Sequence, residues 1–162
     1  MASGFEIIEA GPEHCGLILQ FIRDLADYEK LLNEVVATED DIRRELFGEN
    51  PVAHCVIGYF EGKPVAFALY FYNFSTFLTR KGLYLEDIFV QPEYRGQGFG
   101  KALMHYLARR AKAEQCGRFE WVVLQWNKPA IGFYEKMGAK LMHDWRLCRL
   151  TGQALDDFAR EA

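Results

Sequence analysis

Apolar and polar positions along the chain follow two periods, and the switches between them divide it into elements. Phe5 to Glu9 reads as a short strand closed by Gly11-Pro12. Leu17, Ile18, Phe21, Ile22, Leu25 and Tyr28 then recur at helical spacing, which predicts an amphipathic helix from about Pro12 to Lys30. Thr38 with Asp41 three residues on forms a capping-box pattern, and Ile42, Leu46 and Phe47 suit a second, short helix. The middle of the chain is β-branched and aromatic. His54 to Phe60 and Val65 to Tyr72 flank the hairpin signal Glu61-Gly62-Lys63-Pro64, and a third run, Leu83 to Val90, stops at Gln91-Pro92.

Helical periodicity returns from Gly98 to Gln115, with Phe99, Leu103, Tyr106, Leu107 and Ala111 on one face. Phe119 to Gln125 reads as another strand. Lys128 to Met137 reads as a short helix, with Asn127 as N-cap and Gly138 as C-cap. Leu141 to Leu150 suggests one or two last strands before a helical tail. The order β-α-α-β-β-β-α-β-α-β predicts an α/β fold on a mixed sheet. No linker, repeat or low-complexity run interrupts it, so residues 1–162 are expected to form one domain.

Composition narrows the classes. Half of the 162 residues are apolar and 26% are charged, a balance suited to a globular core without staples. A formal charge of −4 argues against nucleic acid as a main partner, because phosphate binding requires a concentrated positive surface. Cys15, Cys55, Cys116 and Cys148 are widely spaced with no C-x-x-C pair, which suggests reduced thiols in the cytosol. Glu6, Glu9 and Glu13 interrupt any leader-like apolar run, and the longest apolar stretch, Val65 to Tyr72, is too short to cross a bilayer. The expectation is a cytoplasmic protein with no membrane partner. His14, His54, His105 and His143 show no ligand spacing, so no metal is expected.

The most informative segment runs from Ile88 to Lys101, where a glycine-rich turn links a strand to an amphipathic helix. Glycines permit close backbone approach, and the free N–H groups of a helix start favour an anion such as pyrophosphate. A Walker loop would need glycine at position 95 and a hydroxyl residue at 102, where Arg95 and Ala102 stand. A dinucleotide fingerprint begun at Gly96 would need glycine at 101, occupied by Lys101.

Arg95-Gly96-Gln97-Gly98-Phe99-Gly100 instead carries the R-x-x-G-x-G pattern of the GNAT superfamily of N-acetyltransferases. Leu83 to Val90 and Trp126-Asn127-Lys128-Pro129-Ala130-Ile131-Gly132-Phe133-Tyr134 resemble the diamine acetyltransferase group within it, over about Glu6 to Leu150. The resemblance implies a mixed, mostly antiparallel sheet flanked by helices, acetyl-CoA as co-substrate, a small-molecule amine as acceptor and a homodimer. It implies that the pyrophosphate lies on Arg95, Gly96, Gln97, Gly98, Phe99, Gly100 and Lys101. The pantetheine arm would pair with Ile88, Phe89 and Val90, and Asn127, Ala130 and Tyr134 would complete the coenzyme contacts.

Acetyl transfer to an amine needs a neutral nucleophile, a polarised thioester carbonyl and a proton for the leaving thiolate. By resemblance, Tyr134 protonates the thiolate and the Val90 N–H polarises the carbonyl. Glu86 or Asp87 can deprotonate the ammonium. As strand neighbours they are expected on opposite faces, and the resemblance gives the substrate face to Glu86. Tyr28, Glu29 and Trp145 match positions near the substrate, Trp145 also near a dimer interface. Phe74 to Gly82 carries no acid but holds Arg80 and Lys81, which points away from long polycations and toward a smaller diamine or lysine-like compound. No nucleophile signature appears, so direct attack within a ternary complex is expected. A protein-amine acetyltransferase and a noncatalytic acyl-CoA-binding module remain as competing readings.

Overall fold

The computed structural model describes residues 4–161, and the chain divides into two compact units that meet in sequence at Val122 and Val123. The first unit holds a five-stranded sheet in the order β1 (Phe5–Glu9), β2 (His54–Phe60), β3 (Lys63–Ser75), β4 (Arg80–Val90) and β5 (Phe119–Trp121). The first three pairings are antiparallel and β4–β5 is parallel, so the sheet is mixed. The β2–β3 turn puts Glu61 and Gly62 at φ 50° and 77°, the left-handed pair that lets a two-residue loop follow the strand twist.

Helices α1 (Cys15–Tyr28) and α2 (Glu39–Phe47) cover one face of the sheet. There Ile18, Phe21, Leu25 and Ile42 pack on Ile57, Phe67, Leu69 and Phe89. Phe21 stacks on Phe67 with ring centroids 5.1 Å apart. Helix α3 (Phe99–Ala113) packs against β3 and β4, and the Arg110 guanidinium lies over the Tyr70 ring. Phe99 at its first turn is 1% exposed and stacks on Phe5.

The second unit begins with an irregular segment, continues as α4 (Lys128–Lys136), and ends in α5 (Gly152–Arg160). Two strand expectations are corrected. The expected strand 119–125 stops at Trp121, because β4 pairs with β5 only through Leu83–Leu85 and then leaves it without a ladder. Leu141 to Leu150 forms no strand: none of its residues enters a sheet pairing. Its alternating Leu141, Trp145 and Leu147 stay exposed.

Candidate active site

The site-forming part of the first unit starts where β4 loses its alternation. Leu69 pairs with Asp87 but Tyr70 pairs with Leu85, so Glu86 is an extra residue opposite none: a β-bulge. Upstream, Leu85 lies on the face covered by α3; downstream, Asp87 and Phe89 lie on the face covered by α1. Regular alternation, on which the expected separation of Glu86 from Asp87 relies, is therefore interrupted at this point. Glu86 is exposed, and its charge raises the pKa of both Asp87 and Tyr84.

Asp87 lines a cavity of about 180 Å³ with two carboxylates not on the strand, Glu29 at the end of α1 and Glu34 in the turn beyond it, against an apolar wall that includes Ile22, Leu25 and Leu31. Burial, then Glu86, then Glu29 push the Asp87 carboxyl up to about 7. Burial also raises Glu29. Cys55 shares this surrounding, its thiol pushed to about 12 by burial and by Asp87. A larger, open depression at Asp27, Lys30, Leu32 and Asn33 contains no β4 residue.

Beyond Leu85, the far edge of β4 has no sheet partner among the described residues. Gln91 N–H donates across to the Val65 carbonyl at 2.8 Å. Successive residues of a strand point their backbone groups to opposite edges, so Val90 N–H and C=O face the open edge. Its carbonyl accepts from Arg95 Nε at 2.8 Å. The chain then turns through Pro92–Tyr94, with Gly96 at φ +77° and Gly98 at φ +86°, and a Cβ at either would meet nothing within 4 Å. The glycines are needed for backbone conformation and leave open space above the turn. Gly98 is the N-cap of α3, no side chain caps its N–H groups, and no acid stands in the first turn, where Lys101 is exposed. Uncapped donors, a helix dipole and a lysine suit a phosphate-bearing ligand. Phe89 and Phe99 are core residues, 5% and 1% exposed, so they present only backbone there.

Arg95 lies 4.6 Å from the Tyr28 ring centroid and 5.1 Å from that of Phe89. Asp24 of α1 accepts from Gln91 Nε2 at 2.7 Å, which ties the helix to the base of the turn. At the hairpin tip, Lys81 bonds Glu114 at 3.0 Å and covers the Tyr72 ring, so its charge is engaged on α3.

In the second unit, Asn127 caps α4 as expected, its Oδ1 accepting from Ala130 N–H at 3.4 Å. Tyr134 is half-buried in the last turn beside Phe133, itself half-buried rather than core. The Tyr134 carbonyl accepts from Ala139 N–H and the Glu135 carbonyl from Gly138 N–H, a Schellman closure with Gly138 at φ +93°. Trp145 is exposed. Glu34 and the bulge escaped the sequence reading. The available signal was a pair of adjacent acids, Glu86-Asp87, inside an otherwise apolar strand.

The sequence and the fold of this chain are shared with known proteins. Residues 20–139 match the model of the acetyltransferase (GNAT) family, and the chain belongs to that family. It is an acyltransferase. It resembles a thialysine N-epsilon-acetyltransferase of Sus scrofa, 40% identical over 94% of this chain and 96% of that one. It also resembles an L-ornithine N5-acetyltransferase of Arabidopsis thaliana, 52% identical over 55% of this chain and 39% of that protein. An integron cassette protein from the mobile metagenome of V. cholerae has the same fold, with TM-score 0.82, 26% identity, and coverage of 98% of this chain and 99% of that one. Among the described residues no helix is long and apolar enough to cross a membrane.

Proposed function

We propose that residues 1–162 act as a single acetyl-CoA-dependent N-acetyltransferase domain for a small primary amine, working by direct attack in a ternary complex. The observation that carries the reading is the open β4 edge running into the uncapped start of α3, beside a cavity lined by the half-buried carboxylates of Asp87 and Glu29. Acetyl-CoA supplies an acetyl group on a thioester. Arg95 to Lys101 bind its pyrophosphate, and the edge of Ile88 to Val90 holds its pantetheine arm. The Val90 N–H polarises the carbonyl, a donor of the kind that contributes about 3 kcal/mol. Asn127 and Ala130 add contacts, and Tyr134 protonates the leaving thiolate.

Glu86 is the first choice for removing the ammonium proton, directly or through water. Asp87 is a second reading, favoured by its carboxyl standing at about 7, close to the pH at which a general base is most effective. In this reading Tyr28, Glu29 and Trp145 contact the acceptor. The relatives that act on thialysine and L-ornithine support an amino-acid-like or diamine acceptor. A homodimer in the cytoplasm accompanies this reading.

The test is thiol release from acetyl-CoA against putrescine, spermidine, spermine, lysine, ornithine, thialysine and a lysine-containing peptide. Turnover of one small amine is expected, with kcat down 100-fold or more in Tyr134→Phe, a loss on the order of general-acid contributions. Turnover of the peptide alone would favour a protein acetyltransferase. Tight coenzyme binding with no acceptor would favour a binding module.

A further inference from the structure

Tyr28 and Arg95 belong to different halves of the proposed chemistry, yet they touch. Tyr28 closes α1 next to Glu29, whose carboxylate lines the acidic cavity. Arg95 opens the glycine turn that leads to α3. Its guanidinium lies over the Tyr28 ring at 4.6 Å and over Phe89 at 5.1 Å, with its Nε fixed to the Val90 carbonyl. The Tyr28 and Phe89 rings are tilted at 56° with centroids 6.4 Å apart, so the two aromatics and the guanidinium form one cluster. Phe89 is 5% exposed and held in the core, whereas Tyr28 is 40% exposed and Arg95 is exposed. Among the described residues of the first unit, no carboxylate forms an ion pair with Arg95.

A guanidinium can stack by its face while donating from its edge. Here Nε is used on Val90, which leaves the Nη groups to donate at the turn suited to phosphate. An anion on that edge would hold the guanidinium in place, and the held guanidinium would hold the Tyr28 ring. The geometry points to Tyr28 as a positioning residue: through its stack on Arg95 it couples the acyl-donor site to the acceptor cavity, so that each ligand tightens binding of the other. This inference rests on the function proposed above. Coupling of this kind is reciprocal, because the ordering cost met by the first ligand is not met again by the second.

Isothermal titration with free coenzyme A, which forms a dead-end complex, separates the coupling from turnover. Saturating coenzyme A is expected to lower the Kd of L-ornithine or thialysine about 5- to 10-fold in the wild type, and the amine to do the same for coenzyme A. Tyr28→Phe keeps the ring and should keep the coupling. Tyr28→Leu should reduce it to less than about twofold. The Arg95 Nε–H resonance supplies a readout free of amine: its ring-current shift should fall to the Phe89 contribution in Tyr28→Leu and stay whole in Tyr28→Phe. A wild type without coupling, or a Tyr28→Leu protein that retains it, overturns the inference. If amine turnover is intact in that case, the coupling alone falls; if no amine binds or turns over, the functional reading falls with it.

Discussion

At the scale of single residues, Asp87 links fold to chemistry most directly. Its carboxyl, ordinarily near 3.8, is raised to about 7 by burial and by Glu86 and Glu29. A raised acid favours the protonated native state, so its ionisation opposes folding: the penalty grows as pH climbs from about 4 to 7 and then levels off. Asp87→Asn should therefore stabilise the protein more at pH 8 than at pH 5.5, by about 1–2 kcal/mol in urea titrations. A gain equal at both pH values would refute the assignment. If Asp87 is the proton acceptor, kcat/KM should rise with pH through about 7, and that limb should vanish in Asp87→Asn. In Glu86→Gln the limb should move to lower pH, because a neighbouring negative charge is gone. The sequence offered both acids, but it could not tell which one lines a cavity. That depends on the cavity walls contributed by α1, some sixty residues away in the chain.

At the scale of elements, the local signals were legible because they act over three or four residues. Thr38 and Asp41 exchange their capping bonds as the spacing suggested, Asp41 N–H to Thr38 Oγ1 at 3.2 Å and Thr38 N–H to Asp41 Oδ2 at 3.0 Å. Thr38→Ala should cost about 1 kcal/mol in thermal or urea unfolding. Helix α3 ends in a Schellman closure like that of α4, Cys116 N–H bonding the Ala111 carbonyl, but its left-handed residue is Gln115 at φ 58°. Gln115 is exposed and its side chain takes no part in the closure, so Gln115→Gly should raise stability by about 0.5–1 kcal/mol. A loss instead would show an unrecognised role for the glutamine. Strand ends were less legible, because a strand requires a partner. Val122 to Gln125 has the composition of β5 without its ladder, and Leu141 to Leu150 alternates but enters no ladder.

At the scale of the whole molecule, the first unit buries its sheet on both faces, and this sets which thiols can react. Cys15 and Cys55 are 2% and 3% exposed, while Cys148 lies at the surface. A disulfide-exchange reagent should modify Cys148 at once, and Cys15 and Cys55 only at the rate of opening of the unit. Fast modification of Cys55 would contradict the packing. The α/β class and the mixed sheet were legible because glycine turns and periodicity mark each β-to-α switch. The bulge was not legible, because it depends on the register between two strands. It makes β4 two strands spliced out of phase by one residue: Leu85 belongs to one phase, and Asp87 with Phe89 to the other. Phase, unlike side-chain chemistry, cannot be adjusted gradually. Removing Glu86 would not merely shorten the strand. It would join the two phases into one regular ladder, with Leu85 still opposite Tyr70 and Asp87 opposite Leu69, so that Asp87, Phe89 and the Val90 N–H keep their present sides. A substitution at position 86 thus changes the charge and leaves the bulge in place, whereas a deletion there removes bulge and carboxylate together and leaves the flanking register as it is.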